Sequence, residues 1–223
     1  MDSRLRGNDK MMIVKTFPVN PFEMNCVIYY DEASLNGIIL DPGVYTEAEE
    51  KEISDFIGKQ GINIKFILNT HGHIDHILGN AWAKKSFDVP LLMHKDDQPL
   101  IDKALDQAAL FDLEFSKPPN PDKYIDETSK IQLANSELKV IHTPGHSPGS
   151  VCFVDENEKV IFGGDCIFKG SIGRTDLWMG SMDILMDSII NKIITYPDDY
   201  IIYPGHYEET TVGEERKNNP FLV

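Results

Sequence analysis

The chain carries the run Thr70-His71-Gly72-His73-Ile74-Asp75-His76 directly after an apolar segment at residues 62–68. The apolar segment is predicted to be a buried strand, and a turn at a strand end can aim alternate side chains at one point in space. Imidazole and carboxylate groups suit zinc, iron or manganese rather than a soft metal or a cluster. The run therefore predicts a metal site at the end of this strand.

Further residues of ligand type occur far along the chain, each in a turn that contains glycine. They are His146 in the run His142-Thr143-Pro144-Gly145-His146-Ser147-Pro148-Gly149, Asp165 after Gly163-Gly164, and His206 after Tyr203-Pro204-Gly205. A lone loop histidine is more often an ordinary polar residue. Here five of the seven histidines lie at strand-to-loop junctions next to glycines, which permit close approach of the backbone. This clustering favours one site with more than one metal ion.

In these motifs the chain resembles the metallo-β-lactamase superfamily, and within it the glyoxalase II-like hydrolases that lack an extra C-terminal helical domain. The matching motifs span the chain in the expected order: the HxHxDH run, the HTPGHSPG turn, the GGD turn, Ser171-Ile172-Gly173-Arg174-Thr175-Asp176, and Tyr203-Pro204-Gly205-His206 followed by Asn219-Pro220-Phe221. The resemblance implies that His71, His73 and His146 hold one metal ion. It implies that Asp75, His76 and His206 hold a second ion, and that Asp165 bridges the two. Zinc is the first choice, with iron or manganese as alternatives.

The order of the predicted elements indicates an α/β fold. Strand and helix patterns alternate through the chain: strands at 12–17, 25–30 and 37–41, a helix at 46–59, a helix at 76–87, a strand at 89–94, a helix at 181–195 and a strand at 200–203. Such strands would be buried on both faces, and the resemblance implies a four-layer αββα sandwich of two facing mixed β-sheets with helices outside. We expect a single domain over residues 11–223. We interpret Met1 to Lys10 as a disordered leader or a misassigned start.

The chemistry of such a site can be argued from its groups. Two divalent ions a few ångströms apart acidify a shared water to hydroxide near neutral pH, so no serine or cysteine nucleophile is needed. Asp75 has a catalytic role to offer beyond ligation, because its free oxygen can orient the hydroxide and later carry its proton. A thiolate leaves with little protonation help. We therefore predict a metal-dependent hydrolase of a thioester, and the resemblance implies the glyoxalase II type.

Other activities are compatible with the same ligands. A persulfide dioxygenase resembles the chain through Gly173-Arg174-Thr175-Asp176 and uses a single iron held by two histidines and one carboxylate. A lactonase would share every ligand and differ in its pocket, and a non-enzymatic metal-binding scaffold is a third possibility. In full-length glyoxalase II enzymes a C-terminal helical domain supplies much of the glutathione contact, and we expect no such domain after His206. The acyl group, the thiol carrier and the oligomeric state are left open.

Residues 95–126 depart from the simple alternation. An apolar stripe at helical spacing is followed by Phe111 and Phe115 and then by a proline-rich connection. The segment is either a surface helix docked on the sandwich or a flap in which Phe111 and Phe115 offer apolar surface to the acyl group. Arg174 is predicted either to bind a substrate carboxylate or to pair with Asp176.

Three further residues carry structural predictions. Asp41 is expected to anchor a metal-bound histidine, since such histidines usually donate their other N–H to a carboxylate or a carbonyl. His142 is expected to be structural rather than a ligand. Cys166 is expected to face the core, because adjacent side chains at a strand end point in opposite directions.

Composition limits the class of partner. A formal charge of −15 over 223 residues disfavours nucleic acid, which needs basic patches to neutralise phosphates. No apolar run is long enough to span a membrane, and the first ten residues contain no apolar segment of a secretory signal. Three cysteines without a CxxC motif favour a reducing compartment. We predict a cytoplasmic protein whose partner is a small-molecule thioester.

Overall fold

The computed structural model describes residues 11–223, so the prediction for Met1 to Lys10 lies outside the described residues. Six strands form the first sheet in chain order: Met12–Val19 (β1), Met24–Asp31 (β2), Asn36–Leu40 (β3), Asn63–Leu68 (β4), Leu91–His94 (β5) and Lys123–Ile125 (β6). β1, β2 and β3 pair antiparallel, whereas β3, β4, β5 and β6 pair parallel. The parallel strands end at one edge of the sheet.

The remaining strands are Lys130–Leu133 (β7), Ser136–His142 (β8), Val151–Asp155 (β9), Val160–Gly164 (β10), Ile167–Phe168 (β11), Ser171–Ile172 (β12), Ile201–Pro204 (β13) and Thr210–Thr211 (β14). The second sheet has the order β14-β13-β10-β9-β8-β7, and β11 pairs with β12 alone. β10 and β13 are parallel, and β8 runs in the same direction because both β8 and β10 are antiparallel to β9. The chain therefore leaves β8, β10 and β13 at a common edge.

Within residues 11–223, seven helices connect or cover these strands: Glu47–Gln60 (α1), Ile74–Ile77 (α2), Asn80–Phe87 (α3), Gln98–Asp102 (α4), Ala104–Leu110 (α5), Met182–Ser188 (α6) and Val212–Asn218 (α7). A 3-10 turn at Lys95–Asp97 precedes α4, and a π-helical segment at Ile189–Ile193 continues α6. Among residues 11–223, no helix is both long enough and apolar enough to cross a membrane.

The packing has four layers, as predicted. Side chains that alternate along each strand divide between two cores, so Val27 and Tyr29 face the second sheet while Ile28 faces α1. The inter-sheet core joins residues of both sheets, from Leu68 of β4 to Phe153 of β9. A third core packs the outer face of the second sheet against α6 and α7. The chain thus has the α/β fold of two facing mixed sheets with helices outside.

The helix predicted at residues 46–59 is confirmed in detail. Thr46 accepts a hydrogen bond from the Glu49 N–H, and the Glu49 carboxylate accepts one from the Thr46 N–H, which forms a capping box. Gly61 ends the helix in the left-handed conformation, at φ 72°. The expectation of a single domain over residues 11–223 stays a prediction.

The helix predicted at residues 76–87 is wrong in its extent. The structure has two helices instead, α2 and α3, separated at Leu78 and Gly79. The Gly79 N–H donates to Pro42 O, and a Cβ at Gly79 would lie 2.4 Å from that oxygen and 2.3 Å from Val44 Cγ2. The chain must therefore turn where it touches the loop after β3, so close packing interrupts the helical pattern. β5 also begins at Leu91 rather than residue 89, because it follows Pro90, which has no N–H to pair.

Candidate metal centre

The seven side chains predicted as metal ligands lie together at the edge where β4, β8, β10 and β13 end. The turn after β4 and the first residues of α2 supply four of them, and the turns after β8, β10 and β13 supply one each. Two groups result, and one carboxylate lies between them: His71, His73 and His146; Asp75, His76 and His206; and Asp165. The structure thus brings together all of the ligands proposed from the motifs.

The first group consists of three buried imidazoles. His73 Nδ1 lies 2.8 Å and His71 Nε2 lies 3.2 Å from His146 Nε2. The three rings stand at 81° to 86° to one another, so their nitrogens converge instead of stacking. Asp165 Oδ2 lies 3.5 Å from the same His146 nitrogen.

The second group combines two imidazoles with a carboxylate. His206 Nε2 lies 3.1 Å from Asp75 Oδ2 and 3.6 Å from Asp165 Oδ2. His76 Nε2 lies 3.3 Å from Asp165 Oδ1 and 3.8 Å from Asp75 Oδ2. Gly205 permits this approach, since a Cβ there would lie 2.2 Å from Asp165 Oδ1. Asp165 therefore touches ligands of both groups.

These donors fit two divalent metal ions. Ligand atoms in a tetrahedral zinc site with bonds of about 2.0–2.1 Å lie about 3.3 Å apart, and most of the separations within each group are close to that value. His76 Nε2 and Asp165 Oδ1 are fully buried without a hydrogen bond of acceptable geometry, which is rare for such atoms. A bound cation would satisfy both.

The electrostatics of the two groups differ. Burial, assisted by the other imidazoles, lowers the pKa of His71 and brings the pKa of His73 to about 3, so both are neutral and can ligate. Burial also acts to lower the pKa of His76, but Asp41, Asp165 and Asp75 outweigh it and the pKa lies well above its ordinary value. Metal binding at the second group therefore competes with protons.

Asp41 holds the turn that carries the ligands, as predicted. His76 Nδ1 lies 2.9 Å from Asp41 Oδ2. The Thr70 N–H and hydroxyl donate to the two oxygens of the same carboxylate at 2.7 and 2.6 Å. The Thr70 hydroxyl also lies 3.1 Å from His71 Nδ1. One carboxylate at the end of β3 thereby orients a histidine of each group.

Backbone carbonyl groups hold two ligands that come from later turns of the chain, His146 and His206. His146 Nδ1 donates to Arg174 O at 2.7 Å, and His206 Nδ1 donates to Phe22 O at 3.1 Å. A carbonyl on one ring nitrogen leaves the lone pair of the opposite nitrogen directed at the site, which is the usual arrangement for a metal-bound histidine.

Asp97 supports the ligand turns, although no motif in the sequence marks it. It is fully buried and accepts hydrogen bonds from the Gly72 N–H at 2.8 Å, the Ser147 hydroxyl at 2.7 Å and the Gly149 N–H at 2.5 Å. The partners lie in the turns that carry His71, His73 and His146, so Asp97 joins those turns. Residues 145–149 have the sequence G-x-S-x-G, which is also found around nucleophilic serines. Here the buried Ser147 hydroxyl donates its hydrogen bond to Asp97, so Ser147 has a structural role and is not a nucleophile.

His142 and Cys166 lie near the site but belong to neither ligand group. His142 donates from Nε2 to Pro148 O, and its ring stacks on His94 at 4.2 Å and 17°. Asp96 lies close enough to complete a third set of ligand types, but parallel rings do not direct two nitrogens at one ion. Cys166 is buried in the core behind the second sheet, as predicted.

The metal groups open into a cavity of about 580 Å³. Residues 95–115, which we call the flap, form one wall of it. The flap also docks on the body of the protein, because Ala104 and Ala108 pack with Ile74 and Ile77 of α2. The segment therefore docks on the sandwich and also borders the cavity, and its contact with an acyl group stays a prediction. Phe111 lines the cavity and packs edge to face on Phe22, with ring centroids 5.1 Å apart.

The two remaining predicted substrate residues differ in placement. Arg174 lines the cavity, and its Nε and Nη2 each lie 2.8 Å from an oxygen of Asp176, so the predicted ion pair is present. Phe115 does not line the cavity, which corrects its assignment as an acyl contact. Helix α5 ends at Leu110, and a turn through Asp112 at φ 53° redirects the chain, so that Phe115 at the end of the flap packs on the α2 side.

Comparison with known proteins gives a consistent picture. The family model of the metallo-β-lactamase superfamily matches residues 23–206. Hydroxyacylglutathione hydrolase GloC of Haemophilus influenzae is 35% identical over 95% of this chain and 98% of its own length. The crystal structure of the BLEG-1 B3 metallo-β-lactamase is similar at a TM-score of 0.87 and 31% identity, covering 95% of this chain and all of the other. TTHA1623, solved in a di-iron-bound form, matches at 0.83 and 32%, covering 94% and 100%.

Proposed function

The chain belongs to the metallo-β-lactamase superfamily, and from that premise we propose that it is a metal-dependent thioester hydrolase of the hydroxyacylglutathione hydrolase type. We propose zinc as the metal, with iron or manganese as alternatives, because imidazole and carboxylate donors accept all three. The observation that carries this proposal is the shared position of Asp165 between two complete ligand groups.

Two divalent ions held by these groups would supply a hydroxide near neutral pH and a Lewis acid for a carbonyl oxygen. Asp75 lines the cavity, and its contacts with His76 and His206 use Oδ2, which leaves Oδ1 to receive a hydrogen bond from the nucleophile. Burial acts to raise the pKa of Asp75, but the charge of His76 and the close contact with His206 outweigh it and lower that pKa. The carboxylate is therefore ionised and can accept a proton.

The chemistry of the leaving group explains why a thioester suits this cavity. Asp75 is the carboxylate of the site that can return a proton, and it already contacts His206. A thiolate departs with little protonation, whereas an amine would need a stronger acid on that side. Thioester hydrolysis thus needs the least proton donation from the groups that line the cavity.

Two rival activities use the same residues. A persulfide dioxygenase needs one iron with two histidines and one carboxylate, whereas the second set of Asp75, His76 and His206 supports two ions. A lactonase would share every ligand and differ only in its pocket. One similar structure is that of a B3 metallo-β-lactamase, so a β-lactam belongs among the test substrates.

The test is turnover of S-D-lactoylglutathione, followed by loss of thioester absorbance, before and after chelation and readdition of zinc or iron. We expect chelator-sensitive hydrolysis that metal restores, with no restoration in Asp165→Ala. No hydrolysis of any thioester by the metal-replete protein would contradict the proposal. Oxygen uptake with glutathione persulfide would then support the dioxygenase, and turnover of a lactone or β-lactam would support a different hydrolase.

We further propose a small-molecule substrate and no nucleic acid partner, which the charge of −15 supports. The cysteines at 26, 152 and 166 are buried free thiols, and they support a reducing compartment. The cytoplasmic location stays a prediction.

A further inference from the structure

The mouth of the metal cavity is unusually apolar for an exposed surface. Leu110 is 80% exposed, Tyr207 74% and Trp178 49%, and all three line the cavity. Large apolar side chains that cluster at one opening mark a surface that a ligand covers. A fully polar substrate would leave these side chains uncovered, so the ligand carries an apolar part.

Two basic residues of this wall, Arg174 and Lys103, differ in their partners. Arg174 is neutralised by its two hydrogen bonds with Asp176. Lys103 also lines the cavity, yet its ammonium forms no ion pair with any residue among 11–223. Lys103 Nζ instead lies 4.6 Å from the centroid of the Trp178 ring. A cation held by an aromatic face keeps its charge available for an anion.

The position of Lys103 is set by the flap. Lys103 is the junction residue between α4 and α5, with φ −101° and ψ 16°. Gln107, one turn further on, donates to Gly72 O at 3.2 Å and accepts from the Ile74 N–H at 3.1 Å. The flap is therefore tied to the turn that carries the metal ligands, which fixes the backbone of Lys103 relative to the metal groups. The contact with the Trp178 ring then places the ammonium.

We propose that Lys103, braced on Trp178 across the cavity mouth, selects substrates that join an apolar group to a carboxylate or a similar anion. This rests on the proposed function only in taking the substrate to be a thioester. Asp106 lines the same cavity, and its carboxylate would repel an anionic substrate. Among residues 11–223, however, it has no contact that fixes this carboxylate across the mouth. Removing the charge of Asp106 should therefore strengthen the preference that Lys103 creates.

The first test measures binding to the metal-loaded full chain with a matched pair of fluorescent probes. The anionic probe is 8-anilino-1-naphthalenesulfonate, and the neutral probe is N-phenyl-1-naphthylamine, which has the same rings without the sulfonate. We expect Lys103→Met to weaken the anionic probe about two- to fivefold, the range of an exposed ion pair, and to leave the neutral probe unchanged. Lys103→Arg should retain most of the preference, and Asp106→Asn should increase it.

The matched control is Lys59→Met, which removes the same charge from the exposed end of α1, away from the cavity. An equal loss for both probes in Lys103→Met, no loss for either, or the same loss in Lys59→Met would overturn the proposal.

The second test separates this proposal from the proposed function. It compares the 3-phenylpropanoyl thioesters of 3-mercaptopropionate and of its neutral amide. We expect kcat/KM to favour the acid, and Lys103→Met to reduce that preference about two- to fivefold with kcat unchanged. Turnover of both thioesters without preference would overturn the role of Lys103 and leave the hydrolase intact. Probe selectivity without turnover of any thioester would support Lys103 and contradict the hydrolase.

Discussion

The metal groups and the cavity mouth are adjacent but differ in how they are held. At the metal groups, a carboxylate or a backbone carbonyl anchors His76, His146 and His206, and these side chains are buried or nearly so. Asp41 and Asp97 tie the ligand turns together. At the mouth, Leu110 and Tyr207 are exposed, and the contacts are ring packing, one cation over an aromatic ring and the exposed ion pair of Arg174 with Asp176. One region is specified by hydrogen bonds and the other by apolar surface.

This difference divides the reaction between two parts of the chain. Hydrogen-bonded donors at fixed separations can set the metal geometry and the chemistry. Apolar side chains on a flap can change without disturbing those donors, so they can set which substrate is accepted. Substitutions at the metal groups should therefore alter metal content and kcat, whereas substitutions at the mouth should alter KM and substrate preference.

The largest effect is expected from Asp165→Ala. The variant removes the carboxylate that touches both groups, so both metal ions should be lost or weakened. Replacing even a hydrogen-bond partner of a ligand costs about 10–100-fold in affinity or activity, and we expect a loss of more than about 100-fold in kcat/KM. Metal content by atomic absorption and thioester turnover check this. Asp55→Ala, on the surface of α1, is the control, and unchanged metal content in Asp165→Ala would contradict the bridging assignment.

The second-largest effect is expected from Asp97→Asn, which tests whether the buried carboxylate positions the ligand turns. Burial raises the pKa of Asp97, while the hydrogen bonds from Ser147, Gly149 and Gly72 oppose it. The amide would direct its N–H₂ at one of those donors, so we expect a loss of about 1–3 kcal/mol in stability and of about 10–100-fold in metal affinity. Chelator competition and the visible spectrum of the cobalt-substituted protein measure the second quantity.

Asp155→Asn provides a matched comparison. Asp155 is also fully buried and accepts a hydrogen bond from the Tyr29 hydroxyl at 2.7 Å, but it lies between the two sheets, away from the ligand turns. We expect this variant to lose a similar amount of stability and to keep its metal affinity. Equal metal affinity in the two variants would mean that Asp97 supports the fold alone.

The sequence predicted the ligand residues and one of their supports, Asp41, but it contains no signal for the other support, Asp97. The ligands lie in short turns after strands, and each turn is recognisable within a few residues, as in His71–His76. Asp97 has no such local pattern, because its partners are 25 to 52 residues away and meet it only in the folded chain. The break between α2 and α3 has the same origin, since it depends on contact with Pro42.

The mouth was the least predictable region. Helical spacing marked the flap as apolar, but spacing does not say which side chains turn toward the cavity. Phe111 lies there and Phe115 does not, because the positive φ of Asp112 redirects the chain between them. Lys103 carries no sequence signal that separates it from the other lysines on the surface.

The smallest effect is expected from Phe111→Ala, and it tests most directly whether the mouth is separable from the metal groups. Phe111 is half-exposed and packs on Phe22, so its removal should raise KM about three- to tenfold by the loss of apolar contact. We expect kcat and metal content to stay unchanged. Phe115→Ala should show the opposite pattern, because Phe115, at the end of the flap, packs with the core around α2 instead of lining the cavity: a loss of about 1–3 kcal/mol in stability, below that of a fully buried phenylalanine, with KM unchanged. Steady-state kinetics and thermal unfolding distinguish the two. A fall in kcat or metal content in Phe111→Ala would mean that the flap helps to hold the ligand turns, through contacts such as that of Gln107 with Gly72, and that chemistry and selection are coupled in this protein.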